Sequence, residues 1–177
     1  MLVYSISMLI LCILCYQDFR SRQISLLLLI GIFILFFCLA YQTEDSLGVV
    51  LRNFALNVGF IVIQFAILIF YFLITNRKFW PLLDIYIGKG DLLFLVVTCL
   101  AFSITWFIPF YIGSLCIALV ATGINNLISK IKMSEIPLAG IMSLVMIGIL
   151  AIKLLDKSLN FYDDSYWFQW MKTLRHE

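Results

Sequence analysis

The sequence predicts an all-α, polytopic membrane protein of about six transmembrane helices with an interfacial C-terminal segment. Three observations carry this expectation. Of the 177 residues, 64% are hydrophobic and only 12% are charged, whereas soluble domains run near half apolar and a quarter charged. The mean hydropathy is +1.09. The charges are gathered between long charge-free runs. Lipid is therefore the expected solvent for most of the chain, and its length suits one domain. The net charge of +2 is small and no basic run is long, so nucleic acid is not an expected partner.

A helix needs about 20 apolar residues to cross the hydrocarbon core. Charge-free stretches at 2–17, 23–43 and 53–76 give the first three spans. The stretch 92–129 is too long for one crossing. Trp106 and Pro109 mark the expected break, because Pro interrupts helices and Trp favours the interface. Spans four and five then cover 92–107 and 110–129, and 136–152 forms the sixth. Residues 1–17 lack the positive start and small-residue cleavage site of a secretory signal and read as a retained first helix. Residues 79–87 read as an interfacial or re-entrant approach to the fourth span.

Orientation follows from Lys and Arg. With the N-terminus outside, the compact inner loops hold Arg20, Arg22, Arg77, Lys78, Lys89, Lys130 and Lys132. Arg52, Lys153, Lys157, Lys172 and Arg175 fall outside. The tail, 156–177, mixes Phe161, Tyr162, Tyr166, Trp167, Phe168 and Trp170 with charges, the composition of a surface-lying anchor.

Five cysteines, Cys12, Cys15, Cys38, Cys99 and Cys116, all sit inside apolar runs. Cys12 and Cys15 have CxxC spacing, but no second CxxC or histidine pair completes a zinc site. The single histidine is His176. Serine and cysteine triads thus lack a base, and neither a metal nor another cofactor is expected.

Two carboxylates stand out by position. Asp18 follows the first apolar run and Asp91 opens the fourth. Charged groups at a membrane boundary are costly and suggest function. Two carboxyl groups brought together do not both ionise easily, so one holds a proton while the other stays charged. Such a pair supplies a base to activate water and an acid to protonate a cleaved amide. The alternative is structural: Asp91 as a helix N-cap and Asp18 paired with Arg22 four residues on.

The flanking residues add a resemblance. Gly88-Lys89-Gly90-Asp91 is a GxGD string, whose glycines are expected to let the backbone approach closely and adopt positive φ beside the acid. Asp18-Phe19-Arg20-Ser21-Arg22-Gln23-Ile24 resembles the first-aspartate motif of the type IV prepilin peptidases. Ile136-Pro137-Leu138-Ala139-Gly140 resembles their late Ile-Pro-Phe segment. The resemblance implies a membrane aspartyl peptidase domain over residues 1–155 with Asp18 and Asp91 as the catalytic pair. It implies cleavage of a basic leader from prepilin-like precursors that carry an apolar helix, after a glycine, at the cytoplasmic face of the cell membrane. Lys89 would add positive charge, and Arg20 and Arg22 would steady Asp18 or bind lipid phosphates. Asp84 and Glu135 are placed on inner loops where acids would either attract a basic leader or simply neutralise Arg77, Lys78 or Lys132. The chain departs from the family pattern at Ser25-Leu26, where Pro-Asn is usual, and at Leu93, where many relatives have lysine. No cysteine-rich insertion is present, so the methyltransferase activity of the larger members is not expected.

Three other readings stay open. A presenilin-like or signal-peptide-peptidase-like protease shares only GxGD. A non-enzymatic transporter would use the same carboxylates as an ion path, with paired discontinuous helices and an internal repeat. A degenerate relative would serve as a scaffold.

Overall fold

The computed structural model describes residues 2–44, 46–75, 88–128, 137–156, 159–162 and 164. The expectations for 79–87, Asp84, Glu135 and most of the tail lie outside the described residues. Among the described residues there are six helices and no strand: α1 (Leu2–Ser21), α2 (Leu26–Glu44), α3 (Leu47–Ile74), α4 (Lys89–Thr98), α5 (Ile104–Ile128) and α6 (Leu138–Leu155). All but α4 are long and apolar enough to cross a membrane. The all-α, multi-pass architecture expected from the sequence is what forms.

Apolar residues surround these helices on every side, as for segments solvated by lipid and by one another. Large apolar side chains such as Leu27, Ile63, Phe70 and Leu119 therefore point outward. The interior is built from Leu11, Leu14, Ile32, Phe36, Phe94, Phe107, Met142 and Met146, all fully buried. Helix α1 packs most extensively on α6. Small buried residues there, Ser7 on α1 and Ala139, Gly140 and Ser143 on α6, allow close approach where the hydrophobic effect gives helices no reason to associate.

Helix α1 is ended by Arg22, whose φ of 53° is left-handed. Its amide donates to the Asp18 carbonyl at 3.0 Å, closing the helix in the position usually held by glycine. The Gln17 side chain then accepts from the Ser25 amide at 3.4 Å, and the Ser25 carbonyl receives the Leu29 amide of α2. The short connection makes α1 and α2 antiparallel neighbours.

The break in the long apolar run differs from expectation. It falls at residues 99–103, not at Trp106 and Pro109, and Pro109 sits inside α5. Helix α4 has 10 residues, roughly 15 Å at 1.5 Å per residue, or half the ~30 Å hydrocarbon core. It tightens at its end, with the Cys99, Leu100 and Ala101 amides donating to Val96, Val97 and Thr98 carbonyls. Irregular backbone at such depth needs partners inside the protein. Asn57 of α3, fully buried, supplies them: its amide nitrogen donates to the Cys99 carbonyl at 2.9 Å and the Phe102 carbonyl at 2.8 Å. Tyr162 donates its hydroxyl to the Leu100 carbonyl at 3.2 Å. Ser103 donates its amide to the Phe161 carbonyl at 2.9 Å and its hydroxyl to Asp164 at 2.6 Å. The break lies where side chains can satisfy the main chain, whereas proline removes only one donor.

Candidate active site

Helix α6 opens at Leu138 after Pro137, in the N-cap position, which makes no side-chain cap bond. The first amides of a helix lack intrahelical acceptors. Here two of them are taken by acids from distant parts of the chain. The Ala139 amide donates to Asp91 Oδ1 at 2.9 Å. The Gly140 amide donates to Asp18 Oδ2 at 2.6 Å. Asp18, in the last turn of α1, is 4% exposed. Asp91, in the first turn of α4, is half-buried. Consecutive amides thus gather both carboxylates at one positive helix end, which favours negative charge.

Three glycines shape the space. A Cβ at Gly140 would lie 3.0 Å from Asp18 Oδ2 and 3.0 Å from the Phe19 ring. A Cβ at Gly88 would lie 3.1 Å from Asp91 Oδ2. A Cβ at Gly90 would lie 3.2 Å from Ile24 Cδ1. The glycines serve close approach, as expected. The expected positive φ is not found: no described glycine has one, and Gly88 is extended at φ −62° and ψ 137°. The left-handed residue at the site is Arg22 instead.

The three sequence elements meet pairwise. Residues 18–24 touch 88–91 through Ile24 and Gly90. Residues 88–91 touch the opening of α6 through Asp91 and Ala139. That opening touches 18–24 through Gly140 and Asp18. Arg22 is near enough to act electrostatically on Asp18. Arg20 turns away: its guanidinium donates to the Tyr16 hydroxyl and lies 5.7 Å from that ring. Lys89 is the first residue of α4. Leu93 borders an apolar recess between α2 and α4 with Leu29 and Phe33.

The donors at Ala139 and Gly140 are backbone amides, which side-chain patterning does not display. One signal existed. A span that opens Pro-Leu-Ala-Gly, without Ser, Thr, Asp or Asn at its cap, must borrow acceptors from elsewhere. Asn57 was missed too, although an amide in a charge-free span has to find buried partners.

Two nearby acids on adjacent donors can share one proton and hold a water between base and acid roles. Among the described residues no group of three or more His, Cys, Asp or Glu is placed to hold a metal ion. The sequence matches no family model, and neither curated proteins nor solved structures match it.

Proposed function

We propose that this protein is a membrane aspartyl endopeptidase of the prepilin-peptidase kind, with Asp18 and Asp91 as its catalytic pair. The observation that carries the reading is the pairwise meeting of three separate sequence elements around two carboxylates. The ionised carboxylate takes a proton from water as the water oxygen bonds to the scissile carbonyl carbon. The protonated partner gives its proton to the departing amide nitrogen as the C–N bond breaks. The products are a carboxylic acid and an amine. The positive end of α6 would hold the single charge of the pair. The substrate would be a precursor with a basic leader and an apolar helix, cut at the cytoplasmic face of the cell membrane. Leader removal without N-methylation is the expected reaction.

A second reading, an ion or solute path, is favoured by one observation: α4 is a half-length helix with a carboxylate in its first turn, a feature transporters use. One experiment separates the two. The full chain is placed in vesicles with a precursor carrying a basic leader, and the precursor's size is followed. Shortening that Asp18→Asn and Asp91→Asn both abolish supports the peptidase. A precursor left intact by the unaltered chain, or shortened equally by both variants, rules it out.

A further inference from the structure

Two cavities lie along the seam between α5 and α6. The larger, about 370 Å³, is bordered by Trp106, Phe110, Gly113 and Ile117 of α5 with Val145 and Ile149 of α6. The smaller, about 170 Å³, is bordered by Ala121, Thr122 and Asn125 of α5, Pro137 at the cap of α6, Ile141 of α6, and Phe19 of α1. The two linings share no residue, but the smaller cavity follows the larger along both helices. Trp106, Phe110, Gly113, Ile117, Ala121 and Asn125 step along α5 by three or four residues, with Thr122 beside Ala121, and Pro137, Ile141, Val145 and Ile149 step by four, so one face of each helix borders both cavities. From Trp106 to Asn125 the rise is roughly 28 Å at 1.5 Å per residue, close to the ~30 Å hydrocarbon core.

The groove ends at the two acids. Phe19 follows Asp18, while Pro137 and Ile141 flank the amides that hold both carboxylates. Its lining is apolar until that end, where Thr122 and Asn125 enter. Gly113 and Ala121 are small, and a Cβ on Gly113 would meet nothing within 4 Å. Small residues at this spacing admit another helix at close range.

We propose that this groove seats the apolar transmembrane helix of the substrate and delivers the bond at its end to Asp18 and Asp91. The proposal rests on the peptidase reading. A helix presents side chains every three to four residues, which matches the steps of the groove. Near the acids its last turn must open for hydrolysis, and the Asn125 carboxamide stands where freed backbone groups need a partner. A lipid tail would fill the larger cavity but would make no use of Asn125 or of the groove's end at the acids.

The test is cross-linking in vesicles with the full chain carrying Asp91→Asn. The probe is a synthetic single-span precursor with a basic leader, a glycine and roughly 20 apolar residues. A photoreactive residue at Ile117 is expected to capture the probe at least fivefold more than one at Leu56, on the exposed face of α3. Gly113→Leu is expected to cut that capture at least fivefold. Gly59→Leu, on α3 and equally open, leaves it unchanged. Capture of lipid alone, capture of a second copy, equal capture from both positions, or indifference to Gly113→Leu each overturns the groove. Cleavage by the unaltered chain is read separately. Cleavage without groove capture sinks the groove and spares the peptidase. Capture without cleavage sinks the peptidase and keeps the groove as a seat for a transmembrane segment.

Discussion

Two buried helix ends solve the same problem with different chemistry. Where α4 stops inside the protein, its carbonyls accept from Asn57 and Tyr162. Where α6 starts, its amides donate to Asp91 and Asp18. Both are buried helix ends with orphan groups, and lipid offers neither a partner. Neutral side chains suffice at the first. A neutral side chain would also suffice at the second, since Ser or Asn caps about as well as Asp. One cap is worth only ~1 kcal/mol, while placing a second carboxyl beside the first in an apolar site costs more than that unless a proton is held. The fold asks for acceptors at α6 and does not ask for two acids. That surplus is what the proposed chemical task would account for.

The sharpest way to break this comparison is to keep the acceptors and remove the acids. Asparagine retains a side-chain oxygen that can accept from Ala139 or Gly140. Asp18→Asn and Asp91→Asn are therefore expected to leave thermal stability in detergent within about 1 kcal/mol. Precursor cleavage is expected to fall roughly 100- to 10,000-fold, the range for losing an acid–base group. A large stability loss with cleavage intact would make the acids caps after all, and the two ends alike.

Asn57→Leu tests the neutral end. It leaves the Cys99 and Phe102 carbonyls without their amide partner. Each buried orphan costs about 1–3 kcal/mol, so unfolding in detergent should shift by roughly 2–4 kcal/mol. Cleavage per folded molecule should stay within about threefold, because Asn57 caps the turn and not the acids.

Gly140→Ala sits between these cases. A methyl group there meets Asp18 Oδ2 and the Phe19 ring at 3.0 Å, and such overpacking costs about 1–3 kcal/mol. Cleavage should fall about tenfold or more as the Asp18 carboxylate is pushed from its amide. Gly59→Ala, with open space around it, should be neutral or slightly stabilising, as for any helical glycine. Comparing melting and cleavage of the two variants isolates the contact from the residue type.

Much of this molecule was legible from residue type alone. Charge-free runs located five spanning helices, since lipid leaves few other options. Asp18 and Asp91 stood out because acids are rare beside such runs. What escaped was set by tertiary partners. Pro109 is a strong local signal for a break, yet the turn lies at 99–103 because Asn57 and Tyr162 reach it there. Likewise Ala139 and Gly140 act through backbone amides, which no side-chain pattern displays. The expected positive φ failed for a related reason. Of the two roles that Gly88 and Gly90 can play, room for Asp91 and Ile24 is the one that the packing uses, and positive φ is not.

The smallest expected effect belongs to the second neutral donor. Tyr162→Phe loses one hydrogen bond to the Leu100 carbonyl, worth about 1 kcal/mol. Its hydroxyl can donate only while protonated. Burial, with Tyr4 and Glu44 nearby, pushes the Tyr162 hydroxyl above its ordinary 10.0. The unfolded chain then releases this proton first as pH rises, so the folded state binds more protons above that value. The stability tied to neutral Tyr162 is fully present below pH 10.0 and declines as pH climbs beyond it. Melting curves of both proteins from pH 8 to 11 check this: the gap should be steady at first and narrow above about 10. A gap that widened with pH would mean that the phenolate is the bound form. The Leu100 carbonyl would then face a charged group in place of a neutral donor, and the contrast with the amides of α6 would lose its basis.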